Sequence, residues 1–119
     1  MDALLLLQKA AKLLPLFLNE RTIMDEFLER QFAQMRFQII DFRSMKISLN
    51  DFLSRVEGIS RVIGDEFWSE IIFPHVCELE QINVDIIEDH RELTLFEKSQ
   101  VEKIISQIES DIKRWVINP

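Results

Sequence analysis

Residues 65–92 read DEFWSEIIFPHVCELEQINVDIIEDHRE, and this stretch decides the fold. It holds nine acidic residues and one base, Arg91, for a net charge of −8. The whole chain carries −7, so the remaining residues sum to +1. Advancing about 100° per residue gathers Trp68, Ile72, His75, Leu79, Ile82 and Ile86 on one helical stripe. Phe73, Val76, Val84 and Ile87 extend the apolar cover round one side, which predicts a helix central to its bundle. Glu70, Pro74, Cys77, Glu78, Gln81, Asp85 and Glu88 fill the remaining arc as an acidic ridge facing solvent. Pro74 predicts a kink or a break, because it lacks a backbone donor and crowds the preceding turn.

Working outward, the flanking segments also read as helices. Downstream, Thr94 and Glu97 have the spacing of a capping box. Val101, Ile104, Ile105, Ile108, Ile112 and Trp115 then form one face, and Asn118 and Pro119 end it. Upstream, Ser48 can cap a helix with Asp51 in its first turn, and Ile47 and Phe52 are placed as a hydrophobic staple. Its buried face is Leu49, Phe52, Leu53, Val56, Ile59 and Ile63. Gly64 stops it in the left-handed conformation. Thr22 and Asp25 predict an earlier start, with Leu28, Phe32, Met35, Ile39 and Phe42 as its stripe and an end near Arg43. A first helix is expected over residues 3–13, with a bend or stop at Pro15. The connections at 44–47, at Gly64 and at 89–93 are short, which implies antiparallel neighbours.

The expected fold is therefore all-α: a single antiparallel bundle of four or five helices, one kinked at Pro74, forming one domain over residues 1–119. The totals agree. Two Gly, three Pro and no Tyr leave too few turn-formers for a many-stranded barrel or sandwich. An apolar content of 47% excludes a disordered acidic tail. Cys77 is the only cysteine, so no internal disulfide is expected, and a lone helical thiol reads as packing. The Leu-rich N-terminus lacks a basic lead and a small-residue cleavage site, and Lys9 and Lys12 interrupt it. It is too short and too charged to span a bilayer. A core helix and a cytoplasmic location follow as expectations.

Catalytic chemistry finds little support. His75 and Glu78 stand three apart, but a carboxylate-bridged metal bundle needs Glu-x-x-His from two helices. The chain has two His, and neither follows that order. His75, on the apolar stripe, reads as a core histidine bonded to a neighbour, and His90 as solvated. His75 and Cys77 point about 160° apart on a helix, which rules out a thiol–imidazole pair. No Gly-rich phosphate loop is present. An enzyme, a cofactor and a metal are therefore not expected. Nucleic acid is not expected either, because the 14 basic residues are scattered and Arg36, Arg43 and Lys46 are interspersed with Asp41.

What remains is the acidic face. Its acids have no Lys or Arg four residues on to support the helix, and the like charges Asp85 and Asp89 cost a few tenths of a kcal/mol. A concentrated negative field attracts cationic partners. Lys46-Ile47-Ser48-Leu49 with Phe52, then Trp68, then Glu78-Leu79-Glu80-Gln81-Ile82-Asn83 and the Leu93-Thr94 restart resemble immunity proteins of contact-dependent growth inhibition and similar bacterial toxin systems. These short motifs cover about the middle half of the chain. The resemblance implies a cytoplasmic, monomeric protein that blocks a cognate toxin domain. It also implies a basic partner, nucleases being common among such toxins. The residues expected to carry that contact are Glu70, Glu78, Asp85, Glu88, Asp89 and Glu92. Two rivals stand beside this reading. One is a small acidic secretion chaperone or homodimeric adaptor, with Leu4 to Leu7 and Phe17 as candidates for its apolar groove. The other is a small hydrolytic or metal-dependent enzyme around His75.

Overall fold

The structure, a computed structural model, describes residues 15–117, with side chains described over 26–116. The described residues form an all-α helical bundle with no strand among them. The elements are α1 (Pro15–Arg43), α2 (Leu49–Ile63), a π-turn (Phe67–Ile72) that runs directly into α3 (Phe73–Glu88), and α4 (Leu95–Ile117). The expected helix over 3–13 lies outside the described residues. The expected start at Thr22 does not occur, because α1 continues through that residue. A capping signal is overridden when the chain before it is already helical.

The chain divides between Ala33 and Gln34 into two units. In the first, Phe32 is buried. The second holds the end of α1 and every later element. Its core is Met35 and Ile39 from α1, Leu49, Phe52, Leu53 and Val56 from α2, Phe67 and Ile72 from the π-turn, Val76 and Leu79 from α3, and Val101, Ile105, Ile108 and Ile112 from α4. Phe42 packs its ring 5.2 Å from that of Phe52. Arg43, at the end of α1, forks onto α4: its Nη2 donates to Glu102 at 2.6 Å and to Glu109 at 3.0 Å. Hydrogen bonds to Glu102 and then Glu109 raise the Arg43 pKa beyond its ordinary value.

The caps follow the sequence closely. The Asp51 N–H donates to Ser48 Oγ at 3.0 Å. The Glu97 N–H donates to Thr94 Oγ1 at 3.1 Å while the Thr94 N–H donates to Glu97 Oε1 at 2.9 Å, a complete reciprocal box. Gly64 takes φ 156° and ψ 155° rather than the left-handed helical values expected, a region essentially reserved for glycine. Its N–H closes α2 onto Ser60 and its carbonyl accepts from Trp68 N–H, so one residue both ends α2 and starts the next helical segment. The other two connections are Schellman motifs. Lys46 N–H reaches back to Asp41 and Arg91 N–H to Ile86, with Met45 and His90 in the left-handed conformation.

Gly58 has no such role. It is exposed in the interior of α2, its φ is ordinary, and a Cβ there would meet nothing within 4 Å. Gly58→Ala is therefore expected to raise stability by about 0.5–1 kcal/mol, through helix propensity and a less mobile unfolded chain. Chemical denaturation with an unchanged slope would show it; a loss of stability would mean that this helix face is not open.

The acidic helix departs most from its expected form. The Phe73 N–H reaches Trp68 rather than Ser69, the five-residue step of a π-turn. Phe67 and Ile72, five apart, are both buried, at 1% and 0% exposure. Pro74 has no N–H to continue an ordinary ladder and would press on the carbonyl four residues back; one extra residue in the turn relieves that clash. This corrects the straight-wheel reading. Phe67 is the aromatic anchor in the core, and Trp68 is only half-buried. Phe73, Val84 and Ile87, expected as apolar cover, are 47%, 44% and 52% exposed. Among the described residues none covers the helix fully on that side.

Candidate functional site

α3 presents two different flanks on either side of its buried line, Val76, Leu79 and Asn83. At about 100° per residue, Glu78 and Asp85 lie roughly 100–120° to one side of Leu79, and Glu88 lies opposite it. All three are exposed. Their carboxylates form one row along the outer face of α3, as the sequence indicated. Asp89 and Glu92 follow in the connection to α4 and are exposed too. Glu70 sits inside the π-turn, where the regular helical step does not hold. It is exposed, but it does not share the α-helical row.

Among the described residues, the side chains of Glu70, Asp85, Glu88 and Glu92 form no ion pair. Glu78 lies 3.6 Å from His75 Nδ1. Asp89 accepts from Arg91 Nε at 3.2 Å. The only base of the segment is more firmly held by Glu97: Arg91 Nη1 and Nη2 donate to its two oxygens at 2.7 and 3.0 Å. Arg91 is thus committed to the capping box and leaves most of the acidic row uncompensated. The same contacts hold the Glu97 carboxyl down at about 2, the hydrogen bonds from Arg91 first and the Thr94 N–H second. A lowered carboxylate pKa contributes stability that is fully present above its unfolded value and is lost as pH falls through the folded one. For Glu97 that window runs from about 4.5 down to about 2. An NMR titration is expected to place its midpoint near 2, and Arg91→Ala should move it up toward the ordinary range.

His75 is mostly buried against α4 and its Nε2 lies 2.7 Å from Asp111 Oδ2. This is the neighbour-bonded histidine expected, although its partner was not identified from the sequence. Asp111 also accepts from Gln107 at 3.0 Å and from Arg114. Burial works to raise the Asp111 carboxyl, but the bonds from His75 and Gln107 outweigh it, and its pKa lies below the usual value. The cluster ties α3 to α4. Among the described residues no three His, Cys, Asp or Glu side chains are placed to share a metal ion.

On the other flank lies a groove of about 380 Å³ between α2 and α3. Trp68, Phe73, Val76 and Val84 supply its apolar surface, and Glu57 and Glu80 stand on its two sides. Arg61 covers one end, its guanidinium 4.7 Å from the Trp68 ring centroid and its Nε 3.0 Å from Glu57. The Trp68 and Phe73 rings are 5.4 Å apart. Cys77 lines this groove and is exposed, which corrects its reading as a packed thiol. A second groove, of about 500 Å³, separates Glu78 on α3 from Phe96, Gln100 and Lys103 on α4.

No protein-family model, curated protein or solved structure matches the chain. Among the described residues no helix is long and apolar enough to cross a membrane. Leu4 to Leu7 and Phe17, the candidates for a chaperone groove, lie outside the described side chains. The α2–α3 groove is the feature that the sequence reading missed. Its signal was the apolar excess on one side of residues 73–87, assigned there to the core.

Proposed function

We propose that this chain is an immunity-type inhibitor that binds a cationic toxin domain through the outer face of α3. The observation that carries the reading is the row of Glu78, Asp85 and Glu88, continued by Asp89 and Glu92, with Arg91, the one base of residues 65–92, already engaged by Glu97. A face of uncompensated carboxylates on a scaffold with net charge −7 raises the encounter rate with a basic surface and disfavours polyanions. Against a nuclease, such a face would occupy the cleft that otherwise takes phosphates. The resemblance to immunity proteins supports the same reading. Glu70 belongs to the proposed contact only at its margin, because the π-turn sets it apart from the row.

The test begins with the neighbouring reading frame: a toxin-like domain found there is purified and its association with this chain is measured. Reversing Asp85 and Glu88 together to lysine is expected to slow association by about tenfold or more at low salt, and to flatten its salt dependence. Both residues are exposed and form no ion pair among the described residues, so the fold should persist. Unchanged kinetics would remove the acidic row from the interface.

A further inference from the structure

We propose that the groove between α2 and α3 is the seat of an amphipathic, cation-flanked helix supplied by the partner. This deepens the reading above and rests on it for the partner's charge. Phe73, Cys77, Glu80, Val84 and Ile87 follow one another at steps of 4, 3, 4 and 3, the spacing of a coiled-coil seam. The three large apolar members are about half exposed, and Cys77 and Glu80 are exposed as well. Alongside runs the concave surface floored by Trp68 and Val76. A seam beside a groove accepts a helix whose apolar side chains recur at i, i+3, i+4 and i+7.

Glu80 decides what kind of helix. It sits in the middle of an otherwise apolar seam, four residues before Val84 and three after Cys77. A second copy of this chain would bring two Glu80 carboxylates together near a two-fold axis, on molecules that each carry −7. A carboxylate at a seam position disfavours that pairing and favours a partner with Lys or Arg opposite it. Arg61 does not cancel the preference, because it is engaged by Glu57 and stacked on Trp68. The crest of α3, at Gln81 and Glu88, separates this groove from the Glu78–Asp85 flank. One cationic helix lying along the seam would therefore meet Glu80 and, at the crest, Glu88, with Glu78 and Asp85 on the far flank.

Cys77, the only cysteine, reports directly on occupancy. The full chain is alkylated with a maleimide in the presence of a synthetic helical peptide with Leu at the seam positions and Lys on the flanks. Its scrambled isomer and a version with Glu for Lys serve as comparisons. The Leu/Lys helix is expected to slow Cys77 alkylation about tenfold at ten times its dissociation constant. The other two peptides should not. Glu80→Lys and Val84→Asp, both at exposed positions, should each weaken that peptide by about tenfold.

Equal binding of the scrambled peptide with Cys77 left open would overturn the groove while leaving the acidic surface intact. Failure of both cationic peptides to bind would overturn both. Protection by the Glu-bearing helix would overturn the charge assignment. Alkylation that slows with protein concentration alone, with a dimer in sedimentation, would give the groove to a second copy.

Discussion

Phe67→Ala is expected to lower the unfolding free energy by about 3–5 kcal/mol, the range for emptying an aromatic site in a packed core. Phe67 is 1% exposed and lies edge-on to Trp115 at 5.5 Å. Its neighbour gives the contrast. Trp68 keeps part of its ring in solvent, and its described partners are Phe73 and the Arg61 guanidinium. Such contacts contribute about 0.5–1.5 kcal/mol each, so Trp68→Ala should cost less than about 2 kcal/mol. A straight helical wheel orders the two residues the other way. Urea denaturation of the two variants decides between the phases, and a larger loss at Trp68 would place the tryptophan in the core.

Deleting one residue discriminates more sharply still. Removal of Ser69, exposed within the π-turn, leaves Phe67 and Ile72 four apart, so both can stay in the core, while Pro74 is pressed back onto the preceding turn at a cost of about 3 kcal/mol. Removal of Ser54, equally exposed but within α2, rotates everything after it by about 100°. Val56 and Ser60, at 1% and 0% exposure, would leave the core, and Ile59 and Ile63 would turn with them. At about 1.5–3 kcal/mol for each large apolar side chain, that loss rivals the whole stability of a small domain. The Ser54 deletion is expected to yield an unfolded chain by circular dichroism, and the Ser69 deletion a folded but destabilised one. Equal damage from both would mean that the extra residue of the π-turn is structurally required.

The helices were legible because their ends carry local chemistry. Ser48 with Asp51 and Thr94 with Glu97 bond as their spacing indicates. The core of α4 was legible for the same reason, since its apolar residues keep one period throughout. Three things were not. Met45 and His90 end helices in the left-handed conformation without glycine, so nothing in their type marks the stop. The π-turn breaks the helical period once, and no single-period wheel can represent a change of phase. The exposed seam at Phe73, Val84 and Ile87 looks like core, because periodicity reports which residues share a face and not whether anything covers it. The acidic row needed no such information. Glu78, Asp85 and Glu88 all lie on the C-terminal side of the π-turn, within one regular stretch of helix.

The single-residue link at Gly64 also bears on how the chain folds. α2, the π-turn and α3 lie within forty residues and pack on one another directly, so the entropy lost in closing that hairpin is small. The clamp from Arg43 to Glu102 and Glu109 instead joins residues 59 and 66 positions apart. Nucleation is therefore expected in the α2–α3 hairpin, with the longest-range contacts added when α4 docks. The slow encounter in folding is expected to be the return of α4 to the end of α1, which a weakened Arg43 clamp would leave to the last.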